Sequence, residues 1–114
     1  MRNKNTHSLT IKKKLKKSRK LFCAYSELQL KYGERLDENN DIVEIRANVN
    51  LEGFDLGGSF TSDFVCTKQN GELMVRECTY KKHLLRPTTL RQLDASRSYW
   101  LSRNVEDWGI VLDA

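Results

Sequence analysis

The stretch "SFTSDFVCTKQNGELMVRECTY", Ser59 to Tyr80, decides the fold. Its first part, Ser59 to Thr67, is rich in β-branched and aromatic residues, which favour a pleated, half-buried strand. Lys68 to Gly71 then ends on Asn70-Gly71, the strongest short-range hairpin signal. Glu72 to Tyr80 returns as the partner strand. Each arm holds one acid in apolar company, Asp63 in the first and Glu77 in the second. A carboxylate buried in a strand is costly unless it is paired or metal-bound, so the hairpin raises a question of chemistry as well as of fold.

Working outward, "IVEIRANVNLEG" alternates from Ile42 to Leu51 and predicts a preceding strand. Gly53, Gly57 and Gly58 mark a bend between it and the hairpin. Upstream, residues 21–38 place Leu21, Tyr25, Leu28, Tyr32 and Leu36 at spacings of three and four, a helix with one apolar stripe that Gly33 weakens without ending. "ENND" reads as the turn that follows. Downstream, Pro87 suits the first turn of a second helix, striped by Leu90, Leu93, Trp100 and Leu101 and stopped near Asn104. "DWGIVLD" closes the chain as a short buried strand. The order is helix, strand, strand, strand, helix, strand. It predicts an α/β fold with a mixed central sheet flanked by helices, the last strand joining in parallel through a right-handed crossover.

Composition bounds this reading. A chain of 114 residues, 39% hydrophobic, makes one small domain with a modest core. No segment approaches the ~20 apolar residues of a membrane span, and an apolar signal-peptide core is missing from the N-terminus, so the expectation is an intracellular protein without a membrane partner. Cys23, Cys66 and Cys78 lack zinc-site or CxxC spacing and are expected to be reduced, buried thiols. The net charge of +5 is uneven: residues 1–20 hold nine of the 20 basic residues and no acid. The division expected is a basic N-terminal segment, 1–20, ahead of a folded domain, 21–114. Lys12, Lys13, Lys14, Lys16 and Lys17 can lie along phosphates and release counterions; a solvated arm or an ordinary basic helix is the plainer alternative.

Two reaction classes drop out. His7 and His83 have no nucleophile partner in a G-x-S-x-G-type turn, and the glycines at 53, 57 and 58 do not open a Lys-Ser/Thr phosphate loop. The acids remain. Asp63 and Glu77 on joined strands, with Glu27 on the first helix, supply the oxygen ligands that Mg²⁺ prefers. The alternative is ordinary salt bridges to Arg76, Arg46 or another base, or carboxylates pointing to solvent from half-exposed strands. Arg76 itself points away from Glu77 and is expected to pack or pair on the opposite face.

The segments "YSELQLKYGERLDENNDIVEIR", "TSDFVCTKQNGELMVRECTYKK" and "DASRSYWLSRNVEDWGIV", in this order, resemble the N-terminal catalytic domain of the TnsA endonucleases. These are the subunits of heteromeric cut-and-paste transposases that cleave the 5′ ends of the element. The resemblance covers about residues 21 to 112 and implies a restriction-endonuclease-like core. It implies Mg²⁺, or Mn²⁺ in its place, held by Asp63, Glu77 and the backbone carbonyl of Cys78, with Glu27 reaching the ion directly or through water. The partners it implies are DNA, a DDE-type transposase subunit and an ATP-dependent transposition regulator, which the family contacts through a C-terminal winged-helix domain. The compartment it implies is the bacterial cytoplasm, at the nucleoid.

One position departs from the pattern. The family's lysine follows the second acid by two residues, where its charge orients the attacking water, and here that residue is Thr79. If the strand continues, Glu77, Thr79 and Lys81 share a face, so Lys81 is one substitute and Lys82 the other. Lys82, His83 and Arg86, near the start of the second helix, are placed for phosphate contact. The sequence leaves open an inactive DNA-binding or assembly subunit and another nuclease of the same superfamily.

Overall fold

The structure, a computed structural model, describes residues 2–3, of which only the backbone is considered, 10–51 and 60–114. The glycines at 53, 57 and 58, and His7, lie outside the described residues. The elements are β1 (Arg2–Asn3), β2 (Ile11–Lys13), β3 (Phe22–Ala24), α1 (Glu27–Glu38), β4 (Ile42–Asn50), β5 (Phe60–Lys68), β6 (Leu73–Cys78), α2 (Lys81–Leu84), α3 (Pro87–Leu101) and β7 (Asp107–Val111). The main sheet runs β4-β5-β6-β7, and β1 pairs with the start of β5. β4, β5 and β6 form an antiparallel meander, whereas β7 lies parallel to β6, with Val75 opposite Trp108 and Cys78 opposite Val111. The sheet is therefore mixed and flanked by helices, as the order of sequence patterns predicts.

The alternation of β5 and β6 builds two cores. Phe64, Cys66, Met74 and Cys78 pack with Phe22, Leu36 and the partly buried Leu28 and Tyr32 on the α1 side. Val65 and Val75 pack with Phe60, Trp100 and Val105 on the α3 side. Phe64, wholly buried, contributes about 2 to 3 kcal/mol by removal from water. The hairpin turn forms where Asn70-Gly71 predicts it, with Gly71 at φ 85°. Asn104 adopts φ 64° just past α3, which explains why the helix stops there. No helix among the described residues is long and apolar enough to cross a membrane.

The first helix is shorter than its apolar stripe suggests. Ser26 is the N-cap, its Oγ accepting the Gln29 backbone N–H at 3.1 Å, so the helix starts at Glu27. Phe22 to Ala24 instead forms β3, paired antiparallel with Ile11 to Lys13. Part of the basic segment is consequently built into the fold. Leu15 is 1% exposed in the α1-side core. The backbone N–H groups of Lys16 and Lys17 both donate to the Asp37 carboxylate at 3.0 Å, and Ile45 donates to the Lys17 carbonyl. At the other end, β6 stops at Cys78 and not Tyr80, and β7 is a half-buried edge and not a buried strand.

Candidate active site

Asp63 and Glu77 come together at the centre of the sheet. The register pairs Phe64 with Arg76, which sets Asp63 opposite Glu77. The ladder there is replaced by carboxylates. Glu77 Oε1 accepts the Asp63 backbone N–H at 2.8 Å, and Asp63 Oδ2 accepts the Cys78 backbone N–H at 2.7 Å. Across the other neighbour, Asn48 lies between the pairs Ala47–Phe64 and Val49–Ser62, again opposite Asp63, and takes φ 54°. A left-handed residue in a strand is a local irregularity that Asn tolerates better than most residues. Both neighbours of β5 are thus distorted where Asp63 sits.

The second oxygen of Glu77 faces α3. Oε2 accepts the hydroxyls of Ser62 at 2.7 Å and Ser96 at 2.6 Å. Two indoles extend the network: Trp100 donates to Ser62 Oγ at 2.9 Å, and Trp108 to Ser96 Oγ at 3.1 Å. Glu77 has no exposed surface and Asp63 has 2%. Burial pushes the Glu77 carboxyl above the ordinary range, against the pull of the Ser96 and Ser62 hydroxyls. Neither acid forms its bond to Arg76 or Arg46. Arg76 instead meets Asp107 at 2.7 Å, and Lys68 meets the other oxygen of Asp107 at 2.8 Å, so one acid ties β5, β6 and β7 together.

The remaining candidates divide. Glu27 is exposed at the first turn of α1. That turn is held to the sheet by two bonds: Leu28 donates its N–H to the Tyr80 hydroxyl at 3.4 Å, and Gln29 Nε2 donates to Asn48 Oδ1 at 2.9 Å. The Glu27 carboxylate contacts neither Asp63 nor Glu77 through these bonds. Lys81 does not share a strand face with Glu77. The chain leaves β6 at Cys78 and winds into α2, where the Lys81 N–H is capped by Asp113 Oδ1 at 2.7 Å. Lys82 is exposed, its ammonium over the Tyr80 ring at 5.9 Å from the centroid. Arg86 is exposed at the N-cap of α3.

In the basic segment, Lys13 pairs with Glu34, Lys16 with Glu38 at 3.5 Å, and Lys17 donates to the Asn39 carbonyl. Exposed pairs of this kind are weak and yield readily to phosphates. Lys12 and Lys14 are exposed. None of the three cysteines forms a disulfide; Cys66 and Cys78 are buried, each thiol pushed up to about 12 by burial, and Cys23 is half-buried rather than buried as expected.

The donor chemistry of Asp63, Glu77 and the Cys78 carbonyl suits a hard divalent cation, since all are oxygens. The arrangement is closed, however. Mg²⁺ keeps several of its waters, and Glu77 already serves three donors without surface. A carboxylate offers about four lone-pair positions, so an ion at Glu77 would share it with the Ser62 and Ser96 hydroxyls and the Asp63 N–H. Ser62, Ser96, Trp100 and Trp108 had no signal as site residues; Trp100 reads as part of an apolar stripe and the serines as ordinary polar positions. No family model and no curated protein sequence matches the chain.

Proposed function

We propose that this protein is a Mg²⁺-dependent DNA endonuclease with a restriction-endonuclease-like core, acting as the 5′-end-cleaving subunit of a heteromeric transposase. The observation that carries the reading is the placement of Asp63 and Glu77 opposite each other on the two central strands of a helix–three-strand meander–helix–parallel strand fold, Glu77 accepting the Asp63 N–H and Asp63 accepting the Cys78 N–H. The topology suits the nuclease class, and the acids fall on the strands where that class keeps its metal ligands. Asp63, Glu77 and the Cys78 carbonyl would hold the ion, and Glu27 is the further acid that this reading assigns to it. The chemistry Mg²⁺ supplies when bound is activation of water and stabilisation of the leaving oxygen. Lys82, His83 and Arg86, with the lysines of the basic segment, hold the DNA backbone, and a DDE-type transposase subunit selects the site.

A second reading has its own support. Thr79 stands where the lysine is expected, and Glu77 is engaged by Ser62, Ser96 and Asp63; both suit an assembly subunit that retains the fold and no longer cuts. Transposition with the partner transposase separates the two. The nuclease reading expects Asp63→Ala and Glu77→Ala each to abolish it in folded protein. Full transposition with both variants establishes the assembly role instead.

A further inference from the structure

Thr79 borders a cavity of about 140 Å³ between the end of β6 and the start of α3, lined also by His83, Thr89, Gln92 and Leu93. Its walls come from the segments that follow Glu77 and precede Ser96 in the chain. Thr79 follows Glu77 by two residues along the chain, and Gln92 and Leu93 precede Ser96, the Glu77 partner, by about one helical turn. Four of the five lining residues carry hydrogen-bonding groups: two hydroxyls, a carboxamide and an imidazole. Among the described residues, His83 Nδ1 is the one buried side-chain nitrogen or oxygen without a hydrogen-bond partner. A buried polar atom is normally hydrogen-bonded, so this wall suits an occupant with polar atoms.

Charge selects the sign of that occupant. Lys82 and Arg86 flank His83, and Asp113 is the opposing acid. Burial and the Arg86 and Lys82 charges hold His83 below its ordinary value, while Asp113 pulls it the other way. A neutral imidazole with its proton on Nδ1, two hydroxyls and a carboxamide are all able to donate to an oxyanion. Lys81 and Lys82 do not enter the cavity wall; His83 does.

We propose that this cavity seats a phosphodiester oxyanion of the DNA strand, with His83 and Thr79 as the polar contacts at the place where the nuclease pattern has its lysine. This rests on the DNA reading above and assigns it a specific seat. The test uses the full chain, labelled with ¹⁵N in its two histidines, His7 and His83. The His83 ring signals are assigned by their loss in His83→Gln. A short DNA duplex is titrated without divalent metal, followed by inorganic phosphate alone.

The expected result is a saturable shift of the His83 ring signals by the duplex. Thr79→Val should weaken it about tenfold or more, with Thr79→Ser restoring it, and millimolar phosphate should compete. An unmoved His83 overturns the proposal, as does a shift indifferent to Thr79→Val in a variant that remains folded. A shift by phosphate and none by the duplex assigns the cavity to free phosphate and also overturns it. Duplex binding at His83 in a protein that never nicks DNA leaves the seat standing and removes the nuclease reading. Nicking unaffected by Thr79→Val and His83→Gln removes the seat alone.

Discussion

Glu77 is a buried carboxylate whose hydrogen bonds join β5, β6 and α3. It accepts from a backbone N–H and two hydroxyls while fully buried. Glu77→Ala strands those donors and opens a hole, so it should cost about 3 to 5 kcal/mol in chemical denaturation. Glu77→Gln keeps one acceptor oxygen and should cost about 1 to 3 kcal/mol. The sign of the pH dependence follows from burial. The folded carboxyl lies above its unfolded value of 4.5, so the native state binds the proton more tightly. The stability Glu77 contributes is then fully present below pH 4.5 and declines as pH rises through the folded value. Glu77→Gln should abolish this decline; a stability difference between the two proteins that stays flat over the range contradicts it. The sequence showed that Asp63 and Glu77 were costly acids in strands. It did not show what compensates them, because Ser96 and Trp108 reach the site only through the packing of α3 and β7 on the sheet.

At the scale of elements, Gly33 is the clearest case where packing overrides propensity. Read along the chain it is a weak residue in a helix. In three dimensions a Cβ there would lie 2.6 Å from Phe22 Cε2 and 3.3 Å from Phe64 Cζ, and both phenylalanines are buried. Gly33→Ala should therefore destabilise the fold by about 1 to 3 kcal/mol, although alanine is the better helix former by about 1 kcal/mol; unchanged or increased stability contradicts this account of α1 packing. The hairpin, α3 and β7 were legible because each has a local signal: Asn70-Gly71, Pro87, and an apolar run after Asn104. The start of α1 was not, since Leu21 and Tyr25 extend its spacing backward while Ser26 caps it and Phe22 and Ala24 turn inward as a strand. The α2 turn was legible in part: the strand pattern ends at Tyr80, and only the continuation to Lys81 was open until Asp113, 32 residues away from Lys81, capped the turn.

For the whole molecule, the charge division holds in sequence but not in space, because residues 11–20 are woven onto α1 and β4 through Leu15, Asp37 and Ile45. The basic surface is thus carried on a fixed element beside the domain. If it serves DNA, duplex affinity should fall with salt, and Lys12→Ala combined with Lys14→Ala should reduce the log–log slope by about 2; an unchanged slope removes these lysines from the interface. The central claim is that this fold cuts. The most direct measurement follows strand-specific nicking of end-labelled transposon-end DNA in Mg²⁺ with the partner transposase, comparing wild type with Asp63→Asn. Asparagine keeps an oxygen to accept the Cys78 N–H, so the variant should fold. The account predicts 5′-end nicks by wild type and at least a hundredfold loss in Asp63→Asn. Equal nicking by both proteins, or none by wild type in the assembled complex, contradicts it.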